Sequence, residues 1–177
     1  MRAGLTAWLL TSSACLVPQE SRILQPVPAP QNRPPRIIEE QALVNGSGNR
    51  VVYTGNGANC SLEFSLRVSD PDLNDVLVVN WYAYMRSQAG LPIYLQEAIQ
   101  PNPPPDLSEI RNQSAIWTIS SIASSPLSQD GTYAVEALVS DGNLDANRRP
   151  QPRPDGATTY VVSYAWVVVV QTGLPCP

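Results

Sequence analysis

From Arg36 onward, short apolar runs alternate with clusters of turn-forming residues, which is the spacing of a β-sandwich. The clearest run places Leu62, Phe64, Leu66 and Val68 on one side, with Glu63, Ser65 and Arg67 between them. Successive side chains of a strand point to opposite faces, so this stretch has one apolar and one polar face. The same period recurs at Leu77, Val79, Trp81, Ala83 and Met85, with Asn80, Tyr82, Tyr84 and Arg86 on the other face. Strands are predicted near residues 37–44, 50–54, 61–69, 76–86, 91–99, 114–123, 131–140 and 158–171. No stretch carries a helical stripe of apolar positions, and no repeat period is evident.

The first 35 residues follow another pattern. Met1 and Arg2 supply a positive start, Ala3 to Leu10 an apolar run, and Thr11 to Ala14 the small residues of a cleavage region. The apolar run is too short to span a bilayer, so residues 1–14 read as a signal peptide. Ser13-Ala14-Cys15 resembles a bacterial lipobox, which implies lipidation of Cys15 and cleavage before it. Ser12 stands where a lipobox usually has leucine, which leaves ordinary cleavage near Ala14 as the rival. Leu16 occupies the place where an aspartate would resemble an inner-membrane retention signal, so the outer membrane of a Gram-negative bacterium is the expected address. Residues 15–35 are proline-rich and lack apolar periodicity, the composition of a semi-extended tether. In polyproline form, Pro18 to Pro35 would reach roughly 55 Å.

Composition narrows the choice of chemistry. Hydrophobic residues make up 43%, charged residues only 15%, and there are 18 prolines and 10 glycines, which suits one loop-rich all-β domain, residues 36–177. The net charge of −4 gives no electrostatic case for nucleic acid. There is no histidine, and all 11 basic residues are arginine. Serine–histidine triads, cysteine–histidine dyads, histidine-ligated zinc and Schiff-base lysines are therefore excluded. Mechanisms built on paired carboxylates survive this cut, and most other hydrolytic chemistry does not. No enzyme is expected.

The stretches SLEFSLRVSDPDLNDVLVVNWY (61–82) and DGTYAVEALVSDG (130–142) resemble the bacterial immunoglobulin-like domains of the cadherin-like and polycystic-kidney-disease types. The resemblance implies an immunoglobulin-like antiparallel β-sandwich of seven or eight strands. It makes Trp81 the core tryptophan of strand C and Tyr133 the tyrosine corner of strand F. Val135 stands where antibody domains have a cysteine, so their inter-sheet disulfide is absent. With Cys15 lipidated, Cys60 and Cys176 remain as an even pair in an exported protein. In such a fold Cys60, before strand B, and Cys176, after strand G, lie at the same end, which favours a disulfide between them.

The opposite end gathers acids. The B–C loop holds Asp70, Asp72 and Asp75, and the F–G loop opens with Asp141 and Asp145. These carboxylates offer the oxygen-rich surroundings that Ca²⁺ prefers, although Asp-Pro-Asp and Asp-Gly-Asn are equally ordinary turn chemistry. Arg148, Arg149 and Arg153, spaced by prolines, form a basic finger in the same long loop. It would either grip an acidic partner or lipid phosphates, or fold back on its own aspartates. QPNPPPDLSE (100–109) reads as a stiff surface loop. Tyr82, Tyr84 and Tyr94 form either an exposed aromatic face or packing between sheets. The expected role is a non-catalytic envelope lipoprotein, held to the membrane by its lipid and acting as a structural or protein-interaction module. The alternative is a carbohydrate- or calcium-binding module that uses the B–C and F–G end.

Overall fold

The computed structural model describes residues 32–56, 60–85, 95–120, 127 and 129–177. The expected signal peptide, Cys15 and the tether up to residue 31 lie outside the described residues, as do Arg86 and Tyr94. The described chain is all-β, an immunoglobulin-like sandwich, with strands β1 (Arg36–Ile37), β2 (Leu43–Val44), β3 (Val51–Thr54), β4 (Ser61–Leu66), β5 (Val68–Ser69), β6 (Leu77–Met85), β7 (Leu95–Ile99), β8 (Ala115–Ser120), β9 (Gly131–Ser140) and β10 (Val161–Val170). Five strands form one sheet in the order β3-β10-β9-β6-β7, three form the facing sheet β2-β4-β8, and β1 pairs with β5. Among the described strands every pair is antiparallel except β3 with β10, which is parallel. Among the described residues no helix is long and apolar enough to cross a membrane.

Alternation decides which side chains enter the core. In β4, Leu62, Phe64 and Leu66 are buried while Ser61 and Glu63 are exposed. In β10, Tyr164, Trp166, Val168 and Val170 turn inward and Ser163 and Ala165 outward. The centre is aromatic: the Trp81 and Trp166 rings stack at 6.0 Å, Phe64 meets Trp166 edge-on at 5.3 Å, and Tyr164 meets it at 4.7 Å. Such pairs add to the apolar burial of large rings. The Trp81 indole N–H donates to Glu97 at 3.3 Å, which gives its polar edge a partner. The Tyr133 hydroxyl donates to the Gln129 carbonyl at 2.8 Å, the bond of a tyrosine corner.

The predicted first strand is broken in two. Glu39, Glu40 and Gln41 interrupt the alternation, and the chain makes a 3₁₀ turn there, closed by Ala42 N–H donating to the Glu39 carbonyl at 3.1 Å. Asn45 and Gly46 both have positive φ, 46° and 74°, in a two-residue turn that reverses the chain after β2. The chain then crosses to the other sheet as β3.

Cys60 and Cys176 form a disulfide, with Cα atoms 4.9 Å apart and 116 residues of separation. Beside it, Gly55 N–H donates to the Pro175 carbonyl at 3.1 Å. A side chain at Gly55 would strike the Leu174 carbonyl, so the C-terminal segment lies against this glycine. In the chain-entropy picture, a loop of this length makes the bridge worth about 4 to 5 kcal/mol. Urea unfolding of a Cys60→Ser/Cys176→Ser variant is expected to show a loss of that order with an unchanged far-UV spectrum. A loss under about 1 kcal/mol would remove the bridge from the fold's main supports.

Candidate functional site

The end of the sandwich opposite the disulfide is built from three loops. These are 70–76 between β5 and β6, 100–114 between β7 and β8, and 141–160 between β9 and β10. Loop 100–114 supplies the group at the centre, Arg111. Its Nη1 donates to the Leu73 carbonyl at 2.9 Å, and its Nη2 donates to the Asp70 carboxylate at 2.9 Å and the Asp72 carbonyl at 3.1 Å. The oxygen-rich loop that suggested a metal therefore surrounds a guanidinium.

Both members of the Asp70–Arg111 pair are buried, their side chains 0% and 1% exposed. Burial pushes the Asp70 carboxyl above its usual range, and this outweighs the opposing pull of the Asp72 N–H and of Arg111. Arg111 Nε has no partner among the described residues. Desolvation is thus only partly offset, and the pair specifies the geometry of the loops more than it adds net stability. The backbone registers agree with it. Asp70 N–H donates to the Glu109 carbonyl at 2.8 Å, and Arg111 N–H to the Val68 carbonyl at 2.9 Å.

Each other aspartate of the expected calcium set also has a partner within the chain. Asp75 takes a bidentate pair from Arg153, at 2.5 and 3.1 Å, and Arg153 also reaches the Asp141 carbonyl at 3.1 Å. The Asp75 hydrogen bond is the main reason that Arg153 is held firmly in its charged form. Asp141 is buried and accepts from Tyr160 N–H and Asn32 Nδ2, both at 2.7 Å. Asp72 accepts from the backbone N–H of Arg33 at 2.6 Å and from its guanidinium at 3.2 Å. Arg33 Nη2 also donates to the Pro71 carbonyl. Asp145 accepts from the N–H groups of Asn147 and Arg149, both at 2.8 Å, which closes a local turn. Among the described residues, no three acids gather in a way that could hold a metal ion.

The arginine finger is divided. Arg153 folds back on the aspartates. Arg148, with φ at 63°, lies 4.0 Å above the Tyr82 ring and donates to Glu136 at 3.0 Å. The Tyr84 hydroxyl donates to the same Glu136 oxygen at 3.3 Å. Only Arg149 of the three carries an exposed side chain. Under this cover Tyr82 and Asn80, expected on the outer face of β6, are both 1% exposed. A cleft of about 350 Å³ remains between the loop and the sheet, walled by Val76, Val78, Asn143, Pro152 and Arg153. Its charged groups are already paired, so it offers no free acid or base for chemistry.

Sequence reasoning missed Arg111, Asn32, Arg33 and Glu136. The only signal for the first was an arginine directly after a proline loop, flanked by Ile110 and Asn112. No protein-family model and no curated protein matches the chain. A solved structure, the CARDB domain of the PF1109 protein in complex with di-metal ions from Pyrococcus furiosus, is similar at 15% identity and a TM-score of 0.36. The similarity covers 70% of this chain and 86% of that one. An overlap this loose carries no inference about ligand or role.

Truncating Arg111 to alanine leaves Asp70 buried without its counter-charge, and urea unfolding is expected to show a loss of about 3 to 5 kcal/mol. The double variant Asp70→Asn/Arg111→Met should lose clearly less than the sum of its single changes, since it removes both charges together. Strictly additive losses would show that the two side chains act independently.

Proposed function

We propose that this chain is a non-catalytic module of the bacterial envelope, lipid-anchored through Cys15 to the outer membrane and carried on its proline-rich tether. The observation that supports a non-catalytic role most is the internal neutralisation of the loop end. Asp70, Asp72 and Asp75 are each paired with an arginine, and Asp141 is bonded to Tyr160 and Asn32. A site meant to bind a cation or transfer protons leaves such groups free, whereas a structural end closes them.

The last residues of the tether are held at the same end. Asn32 donates to Asp141 and to the Thr158 carbonyl, and Arg33 grips Asp72, so the tether joins the sandwich there. Arg149 and the stiff 100–109 loop, with Leu107 78% exposed, are the side chains free to meet a partner. Asn102 Nδ2 ties that loop to the carbonyls of Ser108 and Ile110 at 3.1 and 2.8 Å, so Leu107 sits on a preorganised base.

Metabolic palmitate labelling tests the anchor. Wild type is expected to take up label and fractionate with membranes, and Cys15→Ser to do neither. Label on both chains, or on neither, contradicts the reading.

A further inference from the structure

Arg148 stands where the backbone does not favour it. Loop 141–160 turns back at a tip, where Asp145 N–H donates to the Arg149 carbonyl and Arg148 N–H to the Asp145 carbonyl, both at 2.9 Å. Leu144 and Pro150 bridge at the base of this turn. Arg148 holds the left-handed position at φ 63°, where glycine or asparagine is the ordinary choice. A bulky residue kept in that position points to a task for its side chain.

That side chain fills a cage. Its guanidinium lies 4.0 Å above the Tyr82 ring and 5.7 Å from the Tyr84 ring, and Nη1 donates to Glu136 Oε2 at 3.0 Å. The Tyr84 hydroxyl donates to the same oxygen at 3.3 Å, which orients the carboxylate. The three groups stand on strands, with Tyr82 opposite Glu136 in the β6–β9 ladder, whereas their occupant comes from a loop. Two aromatic rings and a carboxylate suit a planar cation, the rings meeting its face and the carboxylate its N–H groups. The cage is open to solvent, with Arg148 27% and Glu136 18% exposed. The other pin of the loop, Arg153 on Asp75, is a separate contact, so the tip can lift while the rest of the loop stays. On the same face of β6, Asn80 is 1% exposed, and its Nδ2 and Oδ1 have no hydrogen-bond partner among the described residues. Burying an unpaired carboxamide is costly, and a loop serving only as cover would lie on aliphatic side chains.

We infer that Tyr82, Tyr84 and Glu136 form a recognition site for an arginine side chain of a partner protein, and that Arg148 is a tethered stand-in that closes it. The partner's guanidinium makes the same stack and the same charge-assisted bond. With the tip lifted, Asn80 offers a donor and an acceptor to the chain that carries the arginine. Tethering gives Arg148 a high effective concentration, so the site binds weakly in the wild type and better without Arg148. This gives the partner of the interaction module proposed above a chemistry, and it rests on that reading. Binding at the cage is measured whether or not Cys15 carries lipid, so its failure is distinct from a failure of the anchor.

Magnetic resonance titration of the full chain with N-acetyl-arginine-N-methylamide, followed at the Tyr82 and Tyr84 ring signals, tests the site. Arg148→Gly frees the cage and suits the left-handed turn, so its urea midpoint should match the wild type's. Arg148→Asn, which the same turn tolerates, should behave alike. The expected result is a saturable shift of both rings in these variants, at an affinity at least about tenfold above the wild type's. The lysine analogue should bind more weakly, because an ammonium has no flat face to stack. Adding Glu136→Gln to the glycine variant should remove most of the binding. Equal affinity in wild type and variants, no saturable shift in either variant, or equal binding of the arginine and lysine analogues would each overturn the inference.

Discussion

The loop end of this sandwich depends on a guanidinium held in a cage of oxygens. Arg111 enters from the loop between β7 and β8 and binds the Asp70 carboxylate and the carbonyls of Asp72 and Leu73. Those oxygens belong to a loop that would otherwise have to find water or another cation for its polar groups. Burial pushes the Asp70 carboxyl up despite the guanidinium beside it. What the pair supplies is register: a guanidinium with fixed donor directions admits one arrangement of loop 70–76. Arg67 extends the same order, donating to the carbonyls of Arg111 and Asn112 at 3.0 and 3.2 Å.

From this point the contacts spread outward in a consistent way. Loop 141–160 is drawn onto the sheet by Arg153 at Asp75 and by Arg148 at Glu136 and Tyr82. The segment before β1 is drawn in by Asp72 and Asp141. At the other end, Asn56, Asp130 and Thr172 hydrogen-bond to one another, and a covalent bond between Cys60 and Cys176 closes the sandwich. Between them lies the aromatic stack of Trp81, Trp166 and Phe64, which neither end disturbs. The two ends thus use different chemistry for the same task.

The strands were legible because alternation reports directly on one-sided burial. β4, β6, β9 and β10 lie within a few residues of their predicted positions. The disulfide and the tyrosine corner were legible once the strand order was assumed, since that order brings distant residues to one end. The partners of the aspartates were not legible. Arg111 and Arg33 are single residues in proline-rich segments with no period, and only the folded chain brings them to loop 70–76. The burial of Tyr82 and Asn80 was hidden for a related reason. A period of two says which side of a strand a residue faces, and not whether a loop later covers that side. Glu39 and Glu40 could have announced the break in the first strand, because two adjacent acids cannot continue an alternating pattern.

The loop end is filled by its own arginines, so a divalent cation would have to displace them to reach the aspartates. Tight binding to the folded state alone must raise the unfolding temperature, by an amount equivalent to about 2.7 kcal/mol at a hundred times the dissociation constant. Thermal unfolding of the full chain in about 5 mM Ca²⁺, set against the same sample in chelator, is therefore the most direct measurement. The expected result is the same midpoint in both. A midpoint several degrees higher in calcium would mean that the aspartates leave their arginines for the metal, and would contradict the closed arginine cage.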